Sequence, residues 1–169
     1  TGTIVDMPYK EGCAIKNVSF GKNVSGIVTG FGEMNWIVDG RTTRTEGESV
    51  FTGGANNHLV VDLGDYYDIG SFRYVGPDDG RKYFMSGLVI SGSATSSDVT
   101  EDIVTLYTFT EGDNDITPEM CDTTKMVNPG QKLRYIRMHN TKRGMFMAEF
   151  MAFAYVDTEF GAWTTAPAF

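Results

Sequence analysis

Short segments in which apolar and polar residues alternate recur along the chain, separated by glycine, aspartate and asparagine. In one of them Phe72 and Tyr74 alternate with Ser71 and Arg73, so that successive side chains point to opposite faces of a strand. No long window keeps the apolar spacing of a capped amphipathic helix. The pattern predicts strands at residues 13–20, 23–28, 59–63, 69–75, 87–91, 103–110, 132–139 and 145–155.

Short strands at this spacing predict an all-β fold, an antiparallel β-sandwich or jelly roll. Eleven Phe, eight Tyr and 20 Gly among 169 residues agree with strands joined by tight turns. The chain is long enough for one domain with its own core. We expect a lead-in over residues 1–11, the sandwich over 12–156, and a tail or linker over 157–169, where Trp163 is a candidate to pack back onto the sandwich.

The charge balance narrows the possible partners. Acidic residues outnumber basic ones 22 to 14, and the net charge is −8. A sequence-independent nucleic-acid binder needs a basic face, and no run of Lys or Arg supplies one. The same acidity disfavours anionic membrane surfaces, and no apolar run is long enough to span a bilayer. We therefore expect no nucleic-acid partner and no membrane insertion.

Several motifs follow one another in an order that resembles a known family. The family is the galactose-binding-like sandwich of discoidin (coagulation-factor type C) domains and many carbohydrate-binding modules, in which GK-V, IDG, VDLG, RYIR and AEI motifs recur. The resemblance covers about residues 12–156 and implies a galactose-binding-domain-like β-sandwich. The matching segments are Val18–Val24, Trp36–Gly40, Leu59–Gly64, Leu133–Met138 and Ala148–Phe150.

The resemblance also implies a structural calcium ion. In the family, the Asp of the DG turn and the Glu of the closing strand often share a calcium ion with loop carbonyls and a Thr. The corresponding residues here are Asp39 and Glu149, with Thr45 or Thr43 as the hydroxyl. Carboxylate and carbonyl oxygens are the ligands that Ca²⁺ prefers. The alternative is that Asp39 only caps its turn and that Glu149 pairs with a nearby arginine, Arg41 or Arg44.

In the carbohydrate modules of this family, the ligand lies on loops at one end of the sandwich. Sugar sites combine planar hydrogen-bonding groups with an aromatic face. The two corresponding loops, residues 77–83 and 139–144, provide six candidate ligand-binding residues; a third loop, residues 29–36, adds Phe31 and Met34 as apolar tips. The alternative is ordinary polar surface. The six candidates are Asp79, Arg81, Tyr83, His139, Asn140 and Arg143.

Catalysis has little support in the sequence. The two histidines, His58 and His139, have no Ser or Cys partner at a motif spacing. Loop carboxylates such as those of Glu46 and Glu48 are usually solvated surface, so we expect no enzyme. Cys13 and Cys121 could form a disulfide or remain two free thiols.

Two functional hypotheses follow. In the first, the chain is a non-catalytic carbohydrate-binding and adhesion module, extracellular, on a cell surface or on a virion, and its partner is a cell-surface or polysaccharide glycan. In the second, it is a structural or protein-interaction domain of a larger extracellular or virion assembly, in contact with other domains or copies. Exposed methionines in the segment 145–151 would favour the second hypothesis.

Overall fold

The computed structural model describes residues 7–78, 85–110 and 122–158, the side chain of Glu46 excepted. Within these ranges the chain forms β-strands and two short 3₁₀ helices, Met34–Val38 and Glu46–Glu48. No helix in the described ranges has the length and apolarity that crossing a membrane requires. The strands are β1 (Cys13–Asn17), β2 (Asn23–Gly26), β3 (Val50–Phe51), β4 (His58–Val75), β5 (Leu88–Ser93), β6 (Val104–Thr108), β7 (Asp122–Met126), β8 (Leu133–Asn140), β9 (Phe146–Met147) and β10 (Glu149–Asp157).

The long strand β4 belongs to both sheets of a sandwich. Its first half pairs with β2 and β8, and its second half pairs with β10 and β7. The register shifts between Asp62 and Tyr67, where the Asp62 carboxylate accepts the amide of Gly64 at 2.8 Å and Gly64 has a φ of 82°. Glycine enters this left-handed region without a Cβ penalty. The turn therefore carries the chain from one sheet to the other.

The two sheets are antiparallel throughout the described ranges. One has the order β2-β4-β8-β5-β6 and the other β1-β10-β4-β7, while β3 and β9 form a separate short pair. These pairings confirm the predicted all-β sandwich. The predicted segment 145–155 divides into β9 and β10, and the sequence pattern missed β3 and β7.

The core lies between the sheets and is rich in aromatic rings. Phe72 of β4 stacks on Phe150 of β10 with 6.1 Å between ring centroids, and Phe109 meets it edge-on at 6.2 Å. All three side chains are buried. Met145 and Met147 are fully buried as well, so these two methionines belong to the core and offer no contact surface.

Cys13 lies on the edge strand β1 as a free, half-buried thiol, and Cys121 lies outside the described residues. Most of the predicted tail, from residue 159, also lies outside them, Trp163 included.

Candidate functional site

Three loops meet where β2 and β8 end and β4 begins. We call them the loop end: residues 27–33, 52–57 and 141–145. Backbone bonds join them, from the Thr29 amide to the Thr52 carbonyl at 2.9 Å and from the Thr52 amide to the Met145 carbonyl at 3.0 Å. A Cβ at Gly144 would lie 2.3 Å from the Gly53 carbonyl oxygen. Only glycine permits so close an approach of two backbones. The sequence therefore fixes the loops against one another.

A cluster of three phenylalanines lies beside these loops. The rings of Phe51 and Phe146 stack with their centroids 4.3 Å apart, and the Phe31 ring leans on both at 5.6 and 6.1 Å. Phe31 keeps 39% of its surface exposed. The stacked pair supports one aromatic face that solvent can reach, which is what the apolar side of a sugar ring requires.

Most polar side chains at the loop end bind the protein itself. Asn140, fully buried, donates to the Ser86 carbonyl at 3.0 Å and accepts from the amides of Lys142 and Arg143 at 2.8 and 3.2 Å. The Asn57 amide likewise donates to Thr52 O at 2.8 Å. Exposed Asn56, at φ 66°, is the polar side chain at the tip of its loop. Asn140 thus shapes the loop in which sequence analysis expected it to bind a ligand.

The other predicted ligand-binding residues divide into three groups. Asp79, Arg81 and Tyr83 lie outside the described residues. Arg143 lies at the loop end and is half-buried. His139 lies within β8, where it pairs across the sheet with His58, so its side chain belongs to the outer face of the five-stranded sheet and is separate from the loops.

Two of the three predicted calcium ligands come together. Glu149 is fully buried; its Oε2 accepts the Gly40 amide at 2.8 Å, and its Oε1 has no hydrogen-bond partner. Burial, followed by the charge of Asp39, raises the pKa of Glu149 to about 8. Thr45 instead donates its hydroxyl to Glu48 at 3.3 Å. A buried carboxyl group beside a second carboxylate loses its charge more readily unless a positive charge lies close to it.

Arg44 provides a positive charge at this place. Its guanidinium, 4% exposed, hydrogen-bonds to Asp39 and lies 5.0 Å from the centroid of the Trp36 ring. Asp39 also caps its turn by accepting the amide of Arg41 at 3.0 Å. Within the described ranges, no three His, Cys, Asp or Glu side chains group closely enough to hold a metal by themselves. Calcium would therefore need carbonyl or hydroxyl oxygens as well.

A second polar cluster, on the outer face of the five-stranded sheet, was missed by the sequence analysis. His58, Arg137 and His139 alternate with the core residues of β4 and β8 and face outward. The loop 94–103 folds beside them, and a pocket of ≈ 280 Å³ opens between Ser25, His58, Asp98 and Arg137. We call it the sheet-face pocket. The sequence held a signal for part of this cluster, because alternation in the predicted strand 132–139 places Arg137 and His139 on one face, whereas His58 directly precedes the predicted strand 59–63.

The paired sheets and the shared strand define the galactose-binding-like β-sandwich fold of carbohydrate-binding modules and lectins. The lectin domain of lectinolysin, complexed with Lewis B antigen, matches with a TM-score of 0.65 and 17% identity over 82% of this chain and 96% of that chain. A fucose-binding module of Streptococcus pneumoniae matches at 0.63 and 14% over 83% and 99%. The serum fucolectin of striped bass, Morone saxatilis, matches at 0.63 and 12% over 85% and 48%.

At these identities the likeness is one of fold. No family model and no curated protein matches the chain.

Proposed function

We propose that the protein is a non-catalytic glycan-binding module, extracellular or surface-displayed, that binds a sugar at the loop end. The observation that carries the proposal is the exposed Phe31 ring, supported by the Phe51–Phe146 stack. Asn56 and the half-buried Arg143 lie on the adjoining loops and offer polar groups for sugar hydroxyls. The fold likeness to lectins and carbohydrate-binding modules supports the same function.

Recognition at such a surface is shallow. One exposed ring and a few polar groups bury little of a ligand, so we expect weak binding per site that multivalent display amplifies. The interlocked loops favour binding because they lose little conformational freedom when the sugar arrives.

A glycan array probed with the full chain tests this proposal, with fucosylated and galactosylated glycans included. For the best glycan, Phe31→Ala should weaken binding about tenfold, the loss of one half-exposed ring contact. The matched control is Tyr66→Ala, which removes an exposed aromatic ring from the turn inside β4. An array without signal contradicts the glycan-binding proposal and favours a protein-interaction domain. Equal glycan binding by the wild type and both variants contradicts only the loop-end site.

We also propose that Asp39 and Glu149 bind a structural calcium ion together with backbone oxygens. The unused Oε1 of buried Glu149 and the adjacent Asp39 carboxylate support this. Arg44 competes for Asp39, so calcium binding has to displace or share that contact.

Calcium binding is tested by calorimetry of the protein in chelator, in calcium and in magnesium at equal ionic strength. Calcium at a hundred times its dissociation constant should raise the melting temperature by about 5 to 10 °C, and Glu149→Gln should remove most of that rise. Equal melting temperatures in chelator and in calcium would contradict the calcium site.

A further inference from the structure

The sheet-face pocket is set apart from the loop-end phenylalanines by its position and by its chemistry. It lies over the outward side chains of β2, β4 and β8, with Asp98 and Thr100 of the loop 94–103 forming its other wall. Where the loop end offers an aromatic face, this pocket offers the guanidinium of Arg137, the imidazole of His58 and a hydroxyl. Groups of this kind bind oxyanions.

Arg137 carries the main argument. Other arginines of the described ranges pair with carboxylates, for example Arg134 with Asp62 at 2.9 Å and Arg73 with Asp122 at 2.7 Å. Arg137 has no carboxylate partner among the described residues. Its one side-chain hydrogen bond there runs from Nη1 to the Val99 carbonyl at 3.5 Å, and its buried Nε has no partner. Among the described residues, this half-buried guanidinium has one acceptor for its five N–H donors, in a protein of net charge −8.

Both imidazoles lie close enough to the Arg137 guanidinium for its charge to act on them. His58 and His139 are cross-strand partners, and the Nδ1 of His139 is buried without a hydrogen-bond partner. Burial, and then the charge of Arg137, lowers the pKa of both histidines. Both rings are therefore neutral at pH 7 and can each donate one N–H, and acid makes them cations.

Asp98 adds an acceptor at the rim. Its Oδ1 accepts from the hydroxyls of Ser96 and Thr100 at 2.8 and 2.7 Å, and these bonds lower its pKa and keep it ionised. A bare anion is repelled by this carboxylate, whereas a molecule that carries both an anionic group and hydroxyls satisfies Arg137 and Asp98 together. An acidic sugar has this combination.

We propose that the sheet-face pocket binds the carboxylate or sulfate group of an acidic saccharide, with Arg137 and the two histidines as donors to the anion and Asp98 as acceptor from a sugar hydroxyl. The site does not depend on the loop-end proposal, because the Phe31 cluster contributes nothing to it.

The histidines provide a direct probe. The chain has two histidines: His58 lines this pocket, and His139 is the cross-strand partner of His58. Imidazole NMR signals therefore report on the pocket and on the strand beside it, with no background from other histidines. The full chain is titrated with glucuronate, with inorganic sulfate and with neutral glucose, at constant pH and ionic strength. We expect glucuronate or sulfate, but not glucose, to shift both imidazoles in a saturable manner.

Three variants refine the test. Arg137→Gln should weaken anion binding about tenfold or more, because charge-assisted bonds are lost. Lys16→Gln removes the same charge from exposed β1 on the other sheet and should leave binding unchanged. Asp98→Asn should tighten sulfate binding about two- to fivefold by removing repulsion, a gain that a damaged fold cannot produce.

The outcomes separate the sources of the anion. A response to glucuronate alone supports a carboxylated sugar, a response to sulfate alone supports a sulfated one, and responses to both support an oxyanion of either kind. Equal shifts with glucose, or no shift with either anion, overturn the proposal. Phe31→Ala should leave these shifts intact, so failure here and failure of the loop-end site are distinguishable.

Discussion

The loop end and the sheet-face pocket use their polar groups in opposite ways. At the loop end, the side chains of Asn140 and Asn57 form hydrogen bonds that hold neighbouring loops in place. At the sheet-face pocket, Arg137 and the neighbouring His139 each have a buried nitrogen without a hydrogen-bond partner among the described residues. Side-chain chemistry alone does not tell these cases apart; the difference is in what the backbone places beside each group.

The largest loss of stability should come from removing a buried polar side chain that hydrogen-bonds within the loop end. Asn140→Ala leaves the Ser86 carbonyl and the Lys142 amide without their buried partner, and each such loss costs about 1–3 kcal/mol. We expect the free energy of unfolding to fall by about 3 kcal/mol in urea titrations. Asn128→Ala, in an exposed loop, is the matched control and should change it by less than about 0.5 kcal/mol. Equal effects of the two variants would mean that Asn140 does not organise the loops.

A smaller loss of stability should follow from forcing apart two loops of the loop end. A Cβ at Gly144 would meet the Gly53 carbonyl at 2.3 Å and the Phe51 ring at 2.6 Å. Gly144→Ala should therefore cost about 2 kcal/mol, as overpacking typically does, and should weaken glycan binding as well. The imidazole shifts caused by sulfate should not change. Gly47→Ala, where a Cβ has open space, serves as the control for both measurements.

The two regions should also respond differently to pH. The pKa values of His58 and His139 are lowered in the folded chain. These histidines therefore bind protons more readily in the unfolded chain, where the pKa of histidine is about 6.5. The histidine contribution to stability is therefore complete above about pH 6.5 and is lost as the pH falls through that value toward the lowered folded pKa.

Urea titrations between about pH 7.5 and 5.5 measure this loss, and replacing both histidines with Gln should remove much of it. The groups facing the rings are Arg137 and Asp98. Sulfate binding should strengthen over the same interval as the rings become cations, whereas glycan binding at the loop end should stay constant. Sulfate binding that is flat across the interval would contradict the role of the imidazoles.

The sequence predicted the sandwich because short strand-like segments, such as residues 69–75, are separated by turn residues, and because the order of its motifs resembles that of a known sandwich family. It missed β3 and β7 for physical reasons: β3 has two residues, too few for a period, and β7 is the polar segment Asp122–Met126 at a sheet edge. The candidate sites were less predictable. Alternation in the predicted strand 132–139 places His139 on the face of Arg137, but the burial of Asn140 comes from its contacts with Ser86 and the following loop, which residue spacing does not reveal.

The smallest expected change in stability comes from substituting either of two arginines of β8. Arg134 pairs with Asp62, each about one-third exposed, and a pair of this exposure contributes little to stability. Arg137 has no such partner, so Arg137→Gln should change the free energy of unfolding less than Arg134→Gln does, although it abolishes most anion binding. Denaturation of both variants at low and high salt checks this, since salt should reduce only the Arg134 effect. A larger stability loss at Arg137 would show that its charge stabilises the folded sheet, in which case its open donors would not be evidence of a ligand.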